Sequence, residues 1–417
     1  MENNEKAKRL LILGGQQKLC DIVLRAKQMG IYTVVTDWYE DSPAKKIADK
    51  AYMVSTSDVD GVLQLIRDEQ IDGVITGYID STLPYYYEIC QKAGLPCYLT
   101  QKTLECCTNK RNFKDLCAKL GIKTIPEVDL SNYDQLDYPI LIKPVDNSGS
   151  KGITICYDAS MVKSAYERAL RFSKRKGVIV ERFMNCDYVT AYYTVREGNV
   201  ELSILMDKDM NKIGRGAVPY PTAFIYPSRY HTHFLKQQNS KIVKLAKLLD
   251  IRNGTFQLGF FVSGSHYYAV ELTARLTATR EYLFVKDMTG IDTLEMHINY
   301  ALTGSFDCER KEIAMTEQPM YCMLFVFLKE GVIGRIEGIE KVIAMRGVLN
   351  VLQLREVGAK IRADGSYGQL FARIYLKADC KEKMIELVDT VQSTLQVCTD
   401  EEKPMVIAGF DAVRFLL

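Results

Sequence analysis

The sequence predicts a multidomain protein of mixed class, α/β at its N-terminal end and α+β beyond, on three observations. The chain has 417 residues, and roughly 100 to 200 residues per domain gives two to four domains. Its 47% apolar content can supply each with a core. Strand-like and helix-like patterns alternate through about the first hundred residues, the order of a parallel layer, while β-rich runs, turn-prone glycines and an amphipathic helix mark the last hundred.

Taken in order, residues 10–13 form a short apolar run closed by Gly14-Gly15. Leu19, Ile22, Val23, Ala26 and Met29 then recur at helical spacing up to Gly30. A strand over 32–36 ends in Asp37, and a helix over 61–69, a strand over 73–76 and a helix over 83–93 follow. A glycine pair after one strand and an acid closing the next outline a dinucleotide site. Gln16, Gln17 and Lys18 nevertheless stand where further glycines would admit a pyrophosphate, so a scaffold lining one wall of a cleft is expected.

Asn109-Lys110 opens a helix whose apolar positions are Phe113, Leu116, Cys117 and Leu120, with Lys110 and Lys114 one turn apart. A strand over 138–144 carries Lys143 near its end, and a loop containing Ser148, Gly149, Ser150 and Gly152 joins it to a strand over 153–156. Such a loop offers backbone N–H groups and positive charge to polyphosphate oxygens. It is not a Walker loop, because no helix follows it. A helix over 161–173 leads to Glu181-Arg182-Phe183-Met184-Asn185-Cys186-Asp187, and paired strands over 256–262 and 267–272 bring in Glu271. β-rich runs over 320–328 and 370–376, glycines at 331, 334 and 338, and a helix near 384–395 complete the chain.

Fifty-four basic against 52 acidic residues leave a formal charge of +2, too little for a global field that would hold a nucleic acid or a membrane surface. A small ligand is the expected partner. No apolar run reaches the roughly 18 residues of a membrane span, and the polar N-terminus is unlike a secretory signal, so a cytoplasmic location is expected. The twelve cysteines include no Cys-x-x-Cys pair and are expected to be reduced and mostly buried; Cys106, Cys107 and Cys186 have no base nearby in sequence. His231 and His233 would share one face of a strand, a weak metal signal beside the commoner exposed polar pair.

Four segments in this order resemble the ATP-grasp superfamily, which includes biotin carboxylase, carbamoyl-phosphate synthetase and amino-acid ligases: Asn109-Lys110, Lys143-Pro144 with its loop, 181–187, and Glu271-Leu272-Thr273-Ala274-Arg275. The resemblance spans nearly the whole chain. It implies an ATP-grasp fold with a Rossmann-like preATP-grasp domain over 1–105, a two-lobed ATP-grasp domain over 106–315 hinged near 181–187, and a small C-terminal α+β domain over 316–417. ATP would lie between the lobes. Glu181, Arg182, Phe183 and Met184 match the adenine hinge and Asp187 the ribose acid. Lys110 and Lys143 match the phosphate cations, Lys114 being an alternative to Lys110, with Ser148, Gly149, Ser150 and Gly152 as the lid.

The family's metal strand reads Glu-x-Asn-Pro-Arg, so Glu271 matches while Thr273 and Ala274 depart from it. A second acid is expected twelve to fourteen residues earlier, where Gly259 and Gln257 stand. Glu271, Gln257 and Thr273 are thus the expected Mg²⁺ ligands, a set with one carboxylate. Arg275 and Arg280 are expected to hold the substrate carboxylate, with Arg275 and Lys143 catalytic. The implied activity is carboxylate-amine ligation through an acyl phosphate, with a small carboxylate and an amine as partners. The same residues would serve bicarbonate activation, or ATP sensing by a degenerate site. The identity of the acid is expected to lie in residues 14–18, 77–82 and an irregular stretch over 208–230. The resemblance is also compatible with a homodimer.

Overall fold

The computed structural model describes residues 7–146, 151–211, 220–308, 319–362, 367–407 and 409–416. At the N-terminus β1 (Arg9–Leu13), α1 (Cys20–Gln28), β2 (Tyr32–Thr36), α2 (Pro43–Ile47), β3 (Lys50–Tyr52), α3 (Val59–Asp68), β4 (Gly73–Ile75) and α4 (Leu83–Ala93) build a parallel sheet in the order β3-β2-β1-β4. Covered on both faces, β1 is apolar from Leu10 to Leu13: Leu10 and Ile12 join one core cluster, Leu11 and Leu13 another. The short α2 and β3 are too brief to leave a periodic signature in the sequence.

The acid at the end of β2 is committed to the fold. Asp37 is 6% exposed and accepts hydrogen bonds from the Gly15 N–H at 2.7 Å and the Ser42 hydroxyl at 2.9 Å. It fastens the loop after β1 to α2, which keeps it from the ribose role of a dinucleotide site.

Two helices, α5 (Gln101–Thr108) and α6 (Lys110–Lys119), cross to a small lobe. Asn109 starts α6, its side chain accepting from the Arg111 N–H. In the lobe, β5 (Ile140–Pro144), β6 (Thr154–Cys156), α7 (Val162–Phe172) and β7 (Val178–Arg182) form an antiparallel sheet in the order β6-β5-β7 with the helix on one face. Ile140, Ile142, Val162, Ala165, Ala169 and Val180 close its core.

The rest of the chain is organised on one large sheet. β8 (Asp187–Arg196), β9 (Asn199–Met210) and β10 (Pro221–Tyr226) precede α8 (His231–Phe234) and α9 (Ser240–Leu248). The hairpin β11 (Gly254–Ser263) and β12 (His266–Thr273) is followed by α10 (Tyr282–Thr289) and α11 (Thr293–Thr303). Then come β13 (Met320–Phe327), β14 (Gly331–Val332), β15 (Arg335–Glu337), α12 (Ile339–Ala344), β16 (Val348–Gln353), β17 (Lys360–Ile361), β18 (Leu370–Ala378), α13 (Lys381–Thr394) and β19 (Gln396–Cys398). The strand order β12-β11-β8-β9-β10-β13-β18-β16 makes eight antiparallel strands of residues on both sides of position 316.

Two expectations are corrected here. Much of 208–230 is regular: Lys208 lies within β9, which pairs with β8 and β10, and residues 221–226 are β10, which finds its other partner in the distant β13. Residues 212–219 lie outside the described ones. His231 and His233 lie on a helix, where positions two apart diverge; His233 is engaged with Tyr267 and Gln237 at 2.8 and 2.9 Å.

The parallel sheet docks on the large sheet's helices at close range. A Cβ on Gly73 would stand 2.1 Å from the Ala301 carbonyl oxygen, so β4 and α11 meet where only glycine fits. Leu276, Tyr282, Leu294 and Ile298 pack beside Leu10, Ile12 and Ile22 in a shared core. Among the described residues, no helix is long and apolar enough to cross a membrane.

Candidate active site

The small lobe supplies one wall of a cleft. Antiparallel pairing sets Leu141 opposite Glu181 and Lys143 opposite Ile179, bringing the two charged side chains within reach on one face. Lys143 Nζ lies 2.5 Å from one Glu181 oxygen, and Lys114 Nζ from α6 lies 2.8 Å from the other. Glu181 is only 1% exposed, so its charge is balanced inside the protein. Lys114 also donates to the Ile125 carbonyl at 2.8 Å and approaches Glu127 at 3.3 Å, which makes it part of this structural knot.

Lys110 stands nearer the gap. Burial, then Lys143, lower its pKa from the ordinary lysine value, while Glu271, Asp146 and Glu181 oppose that shift. Its ammonium therefore feels both the ion pair of the small lobe and the carboxylate of the large sheet. Beyond β7, the Arg182 and Phe183 N–H groups donate to the Pro126 and Pro139 carbonyls at 3.1 and 3.2 Å. No protein acceptor is found for the Met184 N–H among the described residues. The Arg182 side chain is exposed and pairs with Asp137 at 3.0 Å. Asp187 accepts from Tyr230 and lies 3.3 Å from Arg229. Of the loop residues, Gly152 is buried beside Phe172, while Ser148, Gly149 and Ser150 lie outside the described residues.

The large sheet supplies the other wall. Register pairs Gln257 with Thr273 and Gly259 with Glu271, so these four positions share one face. Gly259 is where a second acid was sought, and the reason for its glycine is Tyr188. A Cβ there would stand 2.3 Å from the Tyr188 hydroxyl oxygen and 2.9 and 3.0 Å from Cε2 and Cζ. The phenol thus lies over the backbone opposite Glu271. Burial, and then the Glu271 carboxylate, push its pKa well above the usual range, so it remains an O–H donor. Gln257 Oε1 is buried without a protein partner, whereas Glu271 itself is exposed to the cleft. Among the described residues, no group of three or more His, Cys, Asp or Glu could hold a metal.

Arg275 and Arg280 face carboxylates of the N-terminal unit. Arg275 closes its Nε and Nη2 edge on Asp80 at 2.7 and 2.8 Å, and its Nη1 donates to the Leu276 carbonyl. Arg280, at φ +54°, closes the same edge on Asp21 at 2.6 Å for each contact. Both are at most 9% exposed. These bidentate clamps fasten the loop after β12 to α1 and to the loop after β4. Glu281 accepts from Thr277 and Thr279 and stiffens the same turn.

Three further cations were not singled out individually in the sequence, although Lys18 and Lys208 stand at the ends of stretches expected to identify the acid. Lys208 of β9 places its ammonium 4.2 Å from the Tyr188 ring centroid and 4.9 Å from that of Phe224. Burial lowers its pKa, against the pull of Glu271 and Glu281. Lys18, from the loop after β1, is half-buried, and Arg373 of β18 is 4% exposed. A lone arginine inside an apolar strand was the signal available for Arg373.

Cysteine chemistry finds no support in the geometry. Burial pushes the Cys106 and Cys186 thiols up to about 12 and about 11, where they stay protonated.

A family model for the ATP-binding domain of the carbamoyl-phosphate synthase L chain matches residues 109–307. Formate-dependent phosphoribosylglycinamide formyltransferase of Prochlorococcus marinus subsp. pastoris is 26% identical over 301 residues, 70% of this chain and 75% of that protein. The crystal structure of L-amino acid ligase from Bacillus licheniformis superposes with a TM-score of 0.78 at 19% identity, covering 95% of this chain and all of that one. The biotin carboxylase domain of Hydrogenobacter thermophilus 2-oxoglutarate carboxylase gives 0.74 at 18% identity, covering 96% and 91%. At these identities the two structures speak to the fold.

Proposed function

Since the chain belongs to the ATP-grasp superfamily, we propose that it is an ATP-dependent carboxylate-amine ligase: ATP phosphorylates a small acid, and an amine displaces phosphate to form an amide. The observation that carries this reading is Lys110, whose ammonium lies in the fields of Lys143, Asp146 and Glu181 on one wall and of Glu271 on the other. A triphosphate threaded between those walls would bring its terminal group to the sheet face that bears Glu271. No side-chain nucleophile is required, because placement and charge neutralisation suffice for phosphoryl transfer to a carboxylate.

In this reading Lys110 and Lys143 bind the phosphates, and Ser148, Gly149, Ser150 and Gly152 offer backbone N–H groups to them. Residues 181–184 hold the adenine and Asp187 the ribose. The chemistry of the donor set suits a hard divalent cation: Glu271 offers a carboxylate, Thr273 a hydroxyl, and Gln257 a buried carbonyl oxygen that has no protein partner. Mg²⁺ held there would screen the phosphate charge. With a single carboxylate the protein contributes little of the binding, and phosphate oxygens would complete the site.

The names of the relatives suggest which acids to try. Purified protein is incubated with ATP and Mg²⁺, with formate, L-alanine or bicarbonate as acid and glycine as amine, and ADP release is followed. Glu271→Ala is expected to lower turnover by at least about a hundredfold with little change in melting temperature. Undiminished ADP release in that variant would remove Glu271 from the phosphoryl site.

A further inference from the structure

The place of a second acid at Gly259 is taken by a phenol backed by an ammonium. Tyr188 and Lys208 are cross-strand partners, and Lys208 is paired in turn with Phe224 of β10. Lys208 Nζ stands 4.2 Å from the Tyr188 ring centroid and 4.9 Å from that of Phe224. The far end of the same Tyr188 ring reaches Gly259, whose Cβ would stand 2.3 Å from the hydroxyl oxygen, and Gly259 is the register partner of Glu271. Strand alternation puts Lys208, Tyr188, Thr190, Gln257 and Glu271 on one face of the large sheet.

This lysine takes no part in the ion pairs of the fold. Its chain neighbours Asp207 and Asp209 are turned to the opposite face, where Ser228 and Arg229 engage the first and Thr222 and Arg414 the second. Lys208 itself makes no ion pair among the described residues, and ring faces return only part of what an ammonium loses on leaving water. Beside it other polar atoms are open too: Thr190 Oγ1 and Gln257 Oε1 are buried without a protein partner. Of the two carboxylates whose fields reach Lys208, Glu281 is held by Thr277 and Thr279, and Glu271 is the one exposed to the cleft.

A divalent cation held by paired acids sets positive charge against a terminal phosphate, and a fixed ammonium can supply part of the same charge. We infer that Lys208 stands in for the cation a second acid would hold: braced on the Tyr188 ring, its ammonium neutralises the terminal phosphate of ATP while Glu271 keeps a single Mg²⁺. The assignment rests on the ATP reading of the cleft and adds to it a residue and a metal count. The Tyr188 hydroxyl then donates to a phosphate oxygen from the position of the missing carboxylate, which it reaches because Gly259 has no side chain.

The full chain is titrated calorimetrically with ATP and, separately, with AMP in excess Mg²⁺, and Mn²⁺ is counted on the ATP-saturated protein by electron paramagnetic resonance. Lys208→Met fills the space between the rings without charge, and Lys208→Arg keeps a cation on them. ATP affinity should fall at least about tenfold in Lys208→Met and be largely restored in Lys208→Arg, while AMP affinity stays the same in all three proteins. The wild type should bind one Mn²⁺ per chain. Lys208→Met should melt no lower than the wild type, because an unpaired charge is removed. Equal losses of ATP and AMP affinity, or a clear drop in melting temperature, would mark a structural lysine and overturn the inference. So would a second Mn²⁺, which would show that two ions find ligands without the acid; either result leaves the ATP reading standing. A wild type that binds neither nucleotide would sink that reading and the inference together.

Discussion

On the small-lobe wall Lys143 and Lys114 close on Glu181 at 2.5 and 2.8 Å, whereas across the cleft Lys18, Lys208 and Arg373 make no ion pair among the described residues. The first wall has settled its desolvation penalty internally and is a rigid platform before any ligand arrives. The second holds its cations with aromatic rings and a carbonyl in place of carboxylates. A protein that binds one ligand in a fixed pose and then selects another would be expected to divide its cations in this way.

The largest effect should come from breaking the balanced wall. Glu181→Ala would leave Lys143 buried without a carboxylate and Lys114 with only Glu127 at 3.3 Å, and about 3 to 5 kcal/mol of stability should be lost, as read from urea unfolding. If the loss is under about 1 kcal/mol, the range of an exposed pair, the platform is not held by charge. Gly259→Ala tests the opposite wall by steric means. Its Cβ would stand 2.3 Å from the Tyr188 hydroxyl oxygen, and about 1 to 3 kcal/mol is expected from overpacking. The double variant with Tyr188→Ala should cost less than the sum of the two single changes, and strict additivity would show that the phenol yields freely.

The smallest effect sharpens the comparison by fixing its baseline. Burial pushes the His297 imidazole from its ordinary 6.5 down to about 3, with Thr255 at 2.9 Å as its hydrogen-bond partner. The folded protein keeps this ring neutral while the unfolded chain protonates it below 6.5. Its contribution is therefore full above pH 6.5 and is lost as the pH falls towards about 3, at about 1.4 kcal/mol per pH unit. Urea titrations at pH 7 and pH 5 should show this slope in the wild type and a flatter one in His297→Gln. Equal slopes would mean that the ring is hydrated. Only the remaining pH dependence belongs to the charged walls.

Much of the scaffold was legible because local pattern and long-range packing agree. α4 spans Leu83–Ala93 before Gly94, as its apolar spacing and glycine stop predict. β5, β7, β11 and β12 are also found where their apolar runs place them. The sites were legible as residue types in a certain order, but not as partners. Arg275 and Asp80 are 195 positions apart, and Arg280 and Asp21 are 259 apart, so the sequence offered two arginines without the aspartates that engage them. Lys208 was expected to open an irregular stretch; strand alternation instead turns it inward beside Tyr188 while Asp207 meets Ser228. Gly259 read as a lost ligand. Its steric reason became visible only when β8 brought the Tyr188 side chain across the hairpin.

The continuity of the large sheet also bears on the order in which the protein can be made. Phe224 and Ile225 of β10 pair with Met323 and Cys322 of β13, and β13 in turn pairs with β18. On the ribosome β10 must wait about a hundred residues for its neighbour, its backbone groups open to any extended segment that passes. Arg373 emerges later still. Until then the nascent chain holds Lys110, Lys143 and Glu271 but lacks β18, the strand that pairs with the far edge of β13, so the large sheet is completed only in the last quarter of synthesis.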